Sequence, residues 1–166
     1  MDAEELLRRY ASGERDFRNI QLKPDTILSY VTLSGINLSG ARLYNVQVRN
    51  VNLTGANLSN ANLLEILCED VMLNDGNLSE ANLNHATIRD SSFERVNIER
   101  GMLWEACMDN VNLECANLRK ATFAETHFYG CNLRNAIFDD DSWWRSCYVA
   151  NTIMPGGNIM TNVIED

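Results

Sequence analysis

The chain has 166 residues, 45% of them hydrophobic, with 23 acidic against 14 basic side chains and a net charge of −9. That length fits one domain, the acidic balance speaks against direct nucleic-acid binding, and no run of eighteen apolar residues is present to form a membrane span. The odd count of five cysteines and a charged, helix-forming start without an apolar leader core predict free thiols and a cytoplasmic location.

Residues 1–13 predict a capping α-helix. Asp2 is placed as the N-cap, AEELLRRY is rich in helix formers, and Gly13 suits the position just past the C-terminus. Leu6, Leu7 and Tyr10 fall on one helical face and are expected to cover the end of the domain that follows. Phe17 and Leu22 read as two repeats one residue out of step with what comes after, so a slip is expected near Pro24, between Leu22 and Leu28.

From Thr26 to Ile153 the chain repeats every five residues. Positions 28, 33, 38 and so on to 153 hold fourteen Leu, four Phe, three Ile and one each of Val, Met, Cys, Trp and Tyr. Two residues before each stands a small or branched residue, most often Ala or Val. A period of five matches neither the 3.6 of a helix nor the 2 of a simple strand. It matches two extended steps followed by a corner. With the large apolar residue called i, extended geometry sends i−2 and i inward and i−1, i+1 and i+2 outward. Asn occupies i−1 at 37, 57, 77, 97 and 117 but at none of the seven equivalent positions in the row that begins at Ile27. That segregation reveals a second period of twenty, four five-residue segments to a coil, and predicts stacked Asn amides.

The run ANLSNANLLE and its neighbours resemble the pentapeptide-repeat family, whose motif is A(D/N)LXX, over about four-fifths of the chain. The resemblance implies an all-β solenoid: a right-handed quadrilateral β-helix of about seven coils, four pentapeptides to each, spanning residues 14–153. The opening ELLRRYASGERDF followed by repeats is similar to cyanobacterial members, some of which regulate by protein contact. The family's motif residues are structural, so the resemblance supplies no catalytic residues, cofactor or metal.

At the far end the pattern decays. Asp141 and Asn151 fall where small inward residues belong, and PGG interrupts the repeat. Trp143 and Tyr148 are expected to cap the last coil, and residues 154–166 to form a tail that folds over it or pairs with another subunit, giving a monomer or an end-to-end dimer. Cys68 and Cys131 are expected to face inward, and Cys107, Cys115 and Cys147 outward.

Three outward features bear on function. The i−1 row Cys107, His127, Cys147 has zinc-binding chemistry, but its two thiols lie two coils or about 9.6 Å apart, whereas sulfurs sharing a zinc lie within about 4 Å. No metal is expected. The i+1 row Tyr44, Leu64, Asn84, Trp104, Ala124, Trp144, with Leu67 and Met102 beside it, is an apolar strip suited to a protein partner of unspecified identity. The acidity admits a second reading, since some pentapeptide-repeat proteins mimic DNA and inhibit DNA gyrase. A rod of about 31 Å would need roughly 18 charges to match duplex DNA, and here fourteen basic residues are interspersed. His85 and His127 have no nucleophile recognisably paired with them, and a filled rod offers no pocket in which the Asp139–Asp141 run could act in catalysis. The expectation is a non-enzymatic interaction module, without cofactor or membrane contact.

Overall fold

The structure, a computed structural model, describes residues 1–140 and 146–161. Helix α1 (Ala3–Ala11) begins where Asp2 accepts a hydrogen bond from the Glu5 N–H at 2.9 Å. Glu4 and Glu5 in its first turn and Arg8 and Arg9 in its last complement the helix dipole. Gly13 follows at φ +99°, a conformation that favours glycine. Leu6 is fully buried against the first coil, while Leu7 and Tyr10 are half-buried on its edge. The Tyr10 hydroxyl donates to the Ser34 carbonyl at 2.8 Å, and the Met1 ammonium donates to the Gln21 carbonyl at 2.9 Å. The helix thus closes an end that would otherwise expose the core.

Beyond it the chain winds as a square β-solenoid of about six turns. One face carries a seven-stranded parallel sheet in strict sequence order: β1 (Ile27–Ser29), β2 (Gln47–Arg49), β3 (Leu67–Glu69), β4 (Thr87–Arg89), β5 (Cys107–Asp109), β6 (His127–Tyr129) and β7 (Tyr148–Ala150). We number this face one. Single parallel bridges define the others: Thr32–Asn52 and its successors on face two, Asn37–Asn57 on face three, Arg42–Asn62 on face four. From β1 to β6 the partners are twenty residues apart. The period of twenty therefore sets the coil.

At the corners that follow faces two, three and four the N–H at i+3 donates to the carbonyl at i, as Ile36 does to Leu33. Position i+2 is left-handed, with φ between +57° and +59° at Asn60, Glu80, Arg100 and Lys120, as a type II turn requires. Asn at i−1 supports this corner, because its Oδ1 accepts the backbone N–H two residues on, at 3.1 Å for Asn57 to Ser59 and 3.0 Å for Asn77 to Ser79. The expected amide ladder forms in part: Asn117 donates to Asn97 at 3.0 Å and Asn132 to Asn112 at 3.1 Å.

Inside, rows of Leu, Ile and Phe stack coil on coil around an apolar void of about 40 Å³. Polar groups occur at the small i−2 positions and are satisfied there. Thr126 Oγ1 donates to the Leu103 carbonyl at 2.7 Å, and Thr152 Oγ1 contacts the Phe128 carbonyl at 3.1 Å.

Two slips interrupt the period. At the N-terminal end Asp16 bridges Asn37 and Gln21 bridges Arg42, each 21 residues on, so the extra residue lies near Pro24 as expected. The second slip corrects the sequence reading. His127 pairs with Tyr148 and Asn132 with Ile153, again 21 apart. Val149 and Met154 therefore fill the core (1% and 6% exposed), and Tyr148, expected as a cap, stands 51% exposed on face one. The same shift buries Cys147, expected outside, and puts Asn151 at a left-handed corner with φ +50°. Trp143, like Asp141 and Trp144, lies outside the described residues. In the last coil, β8 (Thr152–Ile153) also pairs antiparallel with β9 (Ile159–Met160) across the PGG turn, and Met160 packs partly on the core. Among the described residues no helix is long and apolar enough to cross a membrane.

Candidate functional site

Face four carries the predicted strip, and the coil geometry explains how it assembles. Bridges join Arg42, Asn62, Asn82, Met102 and Thr122 in one row. Two residues on, Tyr44, Leu64, Asn84, Trp104 and Ala124 form the next. The N–H of each corner residue reaches the following coil, Asn45 to Leu64 at 3.0 Å and His85 to Trp104 at 2.9 Å. Tyr44, Met102 and Trp104 are 39%, 40% and 42% exposed, and Leu64 is half-buried between them. Leu67 lies around the corner on β3, half-buried in the face-one row that begins at Ile27. Trp144 lies outside the described residues, and the bond that continues the row, from the Glu125 N–H, goes to the Ser146 carbonyl at 2.8 Å.

Trp104 is held in place. Its backbone N–H donates to Asn84 Oδ1 at 2.9 Å, and its ring meets His85 edge-on with centroids 4.8 Å apart. His85 Nδ1 in turn lies 3.2 Å from Glu105. At the other end of the strip the Tyr44 phenol hydrogen-bonds the Glu65 carboxylate, which raises its pKa above the ordinary tyrosine value.

The sequence reading missed what borders the strip. Position i+2 of face four carries Glu65, His85, Glu105 and Glu125 in successive coils, an acidic corner along the aromatic row. Among the described residues no lysine or arginine forms an ion pair with Glu65, Glu105 or Glu125. By contrast Glu69, Asp75, Glu80, Glu94 and Glu99, on the other three faces, each meet one. The twenty-residue period applied to i+2, as it was to i−1, exposes this row in the sequence.

The cysteine–histidine row does not survive the second slip, since Tyr148 and not Cys147 follows His127 and stacks on it at 4.4 Å. Cys147 is buried, its thiol 3.3 Å from the Phe123 carbonyl. Among the described residues no cluster of three or more His, Cys, Asp or Glu side chains is arranged to hold a metal. Cys68 and Cys131 are inward, and burial pushes both thiols up to about 12.

A parallel β-solenoid with four segments per coil, left-handed corners and an outward aromatic strip is a repeat scaffold. Residues 25–55, 52–90, 77–114 and 108–140 match the family described as Pentapeptide repeats, in eight copies, and the chain belongs to that family. Its fold is similar to that of a trypsin-treated variant of QnrB1, described as a plasmid-mediated fluoroquinolone resistance protein. The TM-score is 0.65 at 15% identity, over 86% of this chain and 71% of that one. It is also similar to the pentapeptide repeat protein Rfr23 from the cyanobacterium Cyanothece 51142, with a TM-score of 0.55 at 23% identity over 83% of this chain and 96% of that one. At these identities the likeness is one of fold. Among curated proteins none matches.

Proposed function

We propose that this protein is a non-enzymatic, cytoplasmic interaction module that docks a protein partner on face four. The observation that carries the reading is the exposure of Tyr44, Met102 and Trp104 together on one flat face, at 39–42% each. Large side chains held in place with an apolar face and a polar rim suit protein contact. Arg49 beside Glu69 and Arg95 beside Asp75 neutralise acids within the rod, which favours this reading over an unbroken phosphate-like row imitating DNA.

The test is affinity capture from lysate with the wild-type protein and with Leu64→Ser/Trp104→Ser. Loss of a specific partner with the double variant supports the reading, and an unchanged partner set removes it. A DNA gyrase supercoiling assay addresses mimicry, and inhibition at sub-micromolar protein would replace the first reading with the second.

A further inference from the structure

Face four is electrically asymmetric, and the asymmetry specifies its partner more closely than exposure alone. Along one border run Glu65, Glu105 and Glu125, without a lysine or arginine ion-pair partner among the described residues. Along the other, at the corner shared with face three, stand Arg100 and Lys120, engaged by Glu80 at 3.5 Å and Glu99 at 3.8 Å. Between the borders lie Met102, Trp104, Leu64 and Tyr44. An apolar strip with negative charge on one margin is complementary to an amphipathic segment whose positive charges lie beside its apolar stripe.

The spacing selects the kind of segment. Coils are about 4.8 Å apart, so Glu65 and Glu105 are separated by about 9.6 Å along the rod and Glu105 and Glu125 by about 4.8 Å. A helix rising about 1.5 Å per residue places positions i, i+7 and i+10 at about 0, 10.5 and 15 Å, on one side. An extended strand repeats a given side about every 6.6 Å and meets neither interval. From this we infer that the partner of face four is an amphipathic α-helix lying along the rod. Lysine or arginine at i, i+7 and i+10 faces Glu65, Glu105 and Glu125, and its apolar stripe covers Leu64 and Trp104. The inference rests on the protein-docking reading above and adds the chemistry and secondary structure of the occupant.

The test uses the full chain and a synthetic helical peptide with Lys at i, i+7 and i+10 and Leu along the adjoining stripe. A control peptide has the same composition with its lysines moved out of that register. Binding is followed by anisotropy of a labelled peptide at about 0.15 M salt. The registered peptide is expected to bind at least about tenfold tighter than the control, and Glu105→Lys/Glu125→Lys to abolish that difference. Glu94→Lys/Glu114→Lys, which makes the same charge change on the opposite face, is expected to preserve it. Circular dichroism verifies that the variants fold. Equal binding of the two peptides, or equal loss with both double variants, overturns the inference. So does a self-association of the wild-type chain that Leu64→Ser/Trp104→Ser abolishes, because face four would then hold a second copy. Capture of a cellular partner that is lost with Leu64→Ser/Trp104→Ser but unaffected by Glu105→Lys/Glu125→Lys overturns the basic helix while leaving the docking reading intact.

Discussion

The guanidinium of Arg95 holds the carboxylate of Asp75 through two N–H···O bonds of 2.7 and 3.0 Å, from one coil to the next. Both residues sit at left-handed corners, φ +55° and +58°, so the backbone presents them one above the other. The hydrogen bonds to Arg95 hold the Asp75 carboxyl below its ordinary pKa. A folded-state pKa below the unfolded one contributes stability that is present above the unfolded value, near 4, and lost as pH falls through the folded value. Asp75→Asn is therefore expected to be less stable than wild type in urea melts at pH 7, and the gap should close as the pH drops below about 4. The pair is half-exposed, so the gap is small and shrinks with added salt. A difference that persists unchanged at acid pH would show that the side chains contribute through packing and not charge.

Leu78 lies in the face-three stack between Leu58 and Ile98, fixed there by the bridges Asn57–Asn77 and Asn77–Asn97, and is 1% exposed. It also lines the apolar void, so truncation enlarges space that already exists. Leu78→Ala is expected to cost about 3–5 kcal/mol in urea unfolding. Because each coil leans on its neighbours, hydrogen exchange should accelerate first in the adjacent coils. A loss below about 1 kcal/mol would mean that the stack relaxes to fill the space.

Most of this architecture was legible because the constraints on it are local. Asp2 and Gly13 are stereochemical signals, and the inward row from Leu28 to Phe138 repeats without ambiguity. The slip near Pro24 could be read because Phe17 and Leu22 are out of phase and no neighbour offers an alternative. The second slip was hidden by adjacent apolar pairs. Tyr148–Val149 and Ile153–Met154 supply a large apolar residue in either register, so the row of inward residues cannot choose between them. One small position does choose, since Thr152 fits a tight corner and Asn151 fits less well, whereas Ser146 and Cys147 are both small enough, as the buried Ser91 shows. On face four the strip was visible in i+1, whereas the acidic corner lies one residue further on, at positions that read as solvated turn until they are aligned by twenty.

The corners themselves are open to test. Gly55 has φ +68° with open space around the site of a Cβ, so replacement meets no neighbour and only the backbone conformation opposes it. Gly55→Ala is expected to destabilise by about 1 kcal/mol. Cys115 occupies the equivalent corner three coils on with φ +59°. Cys115→Gly relieves that conformation, partly offset by the greater freedom of glycine in the unfolded chain, for an expected gain of about 0.5 kcal/mol. Thermal denaturation of the two variants should therefore shift in opposite directions. A shift of the same sign would show that corner conformation is not what distinguishes these sites.

Thiol reactivity reports directly on the register of the last coils. Cys115 is exposed, Cys107 is half-buried, and Cys68, Cys131 and Cys147 are buried. Burial also pushes Cys68 and Cys131 up to about 12, which deprives them of the reactive thiolate at neutral pH. Alkylation of the native protein near pH 8, followed by mass spectrometry of the peptides, should label Cys115 first and Cys107 more slowly. The remaining three should react only after unfolding. Cys147 is the decisive residue. Had the period of five continued unbroken it would face solvent at i−1 and react alongside Cys107. In the observed register it occupies the i−2 corner beneath the Phe123 carbonyl, at 3.3 Å. Rapid labelling of Cys147 would return Tyr148 and Ile153 to the core and remove the second slip, whereas protection of Cys147 with Tyr148 exposed fixes it in place.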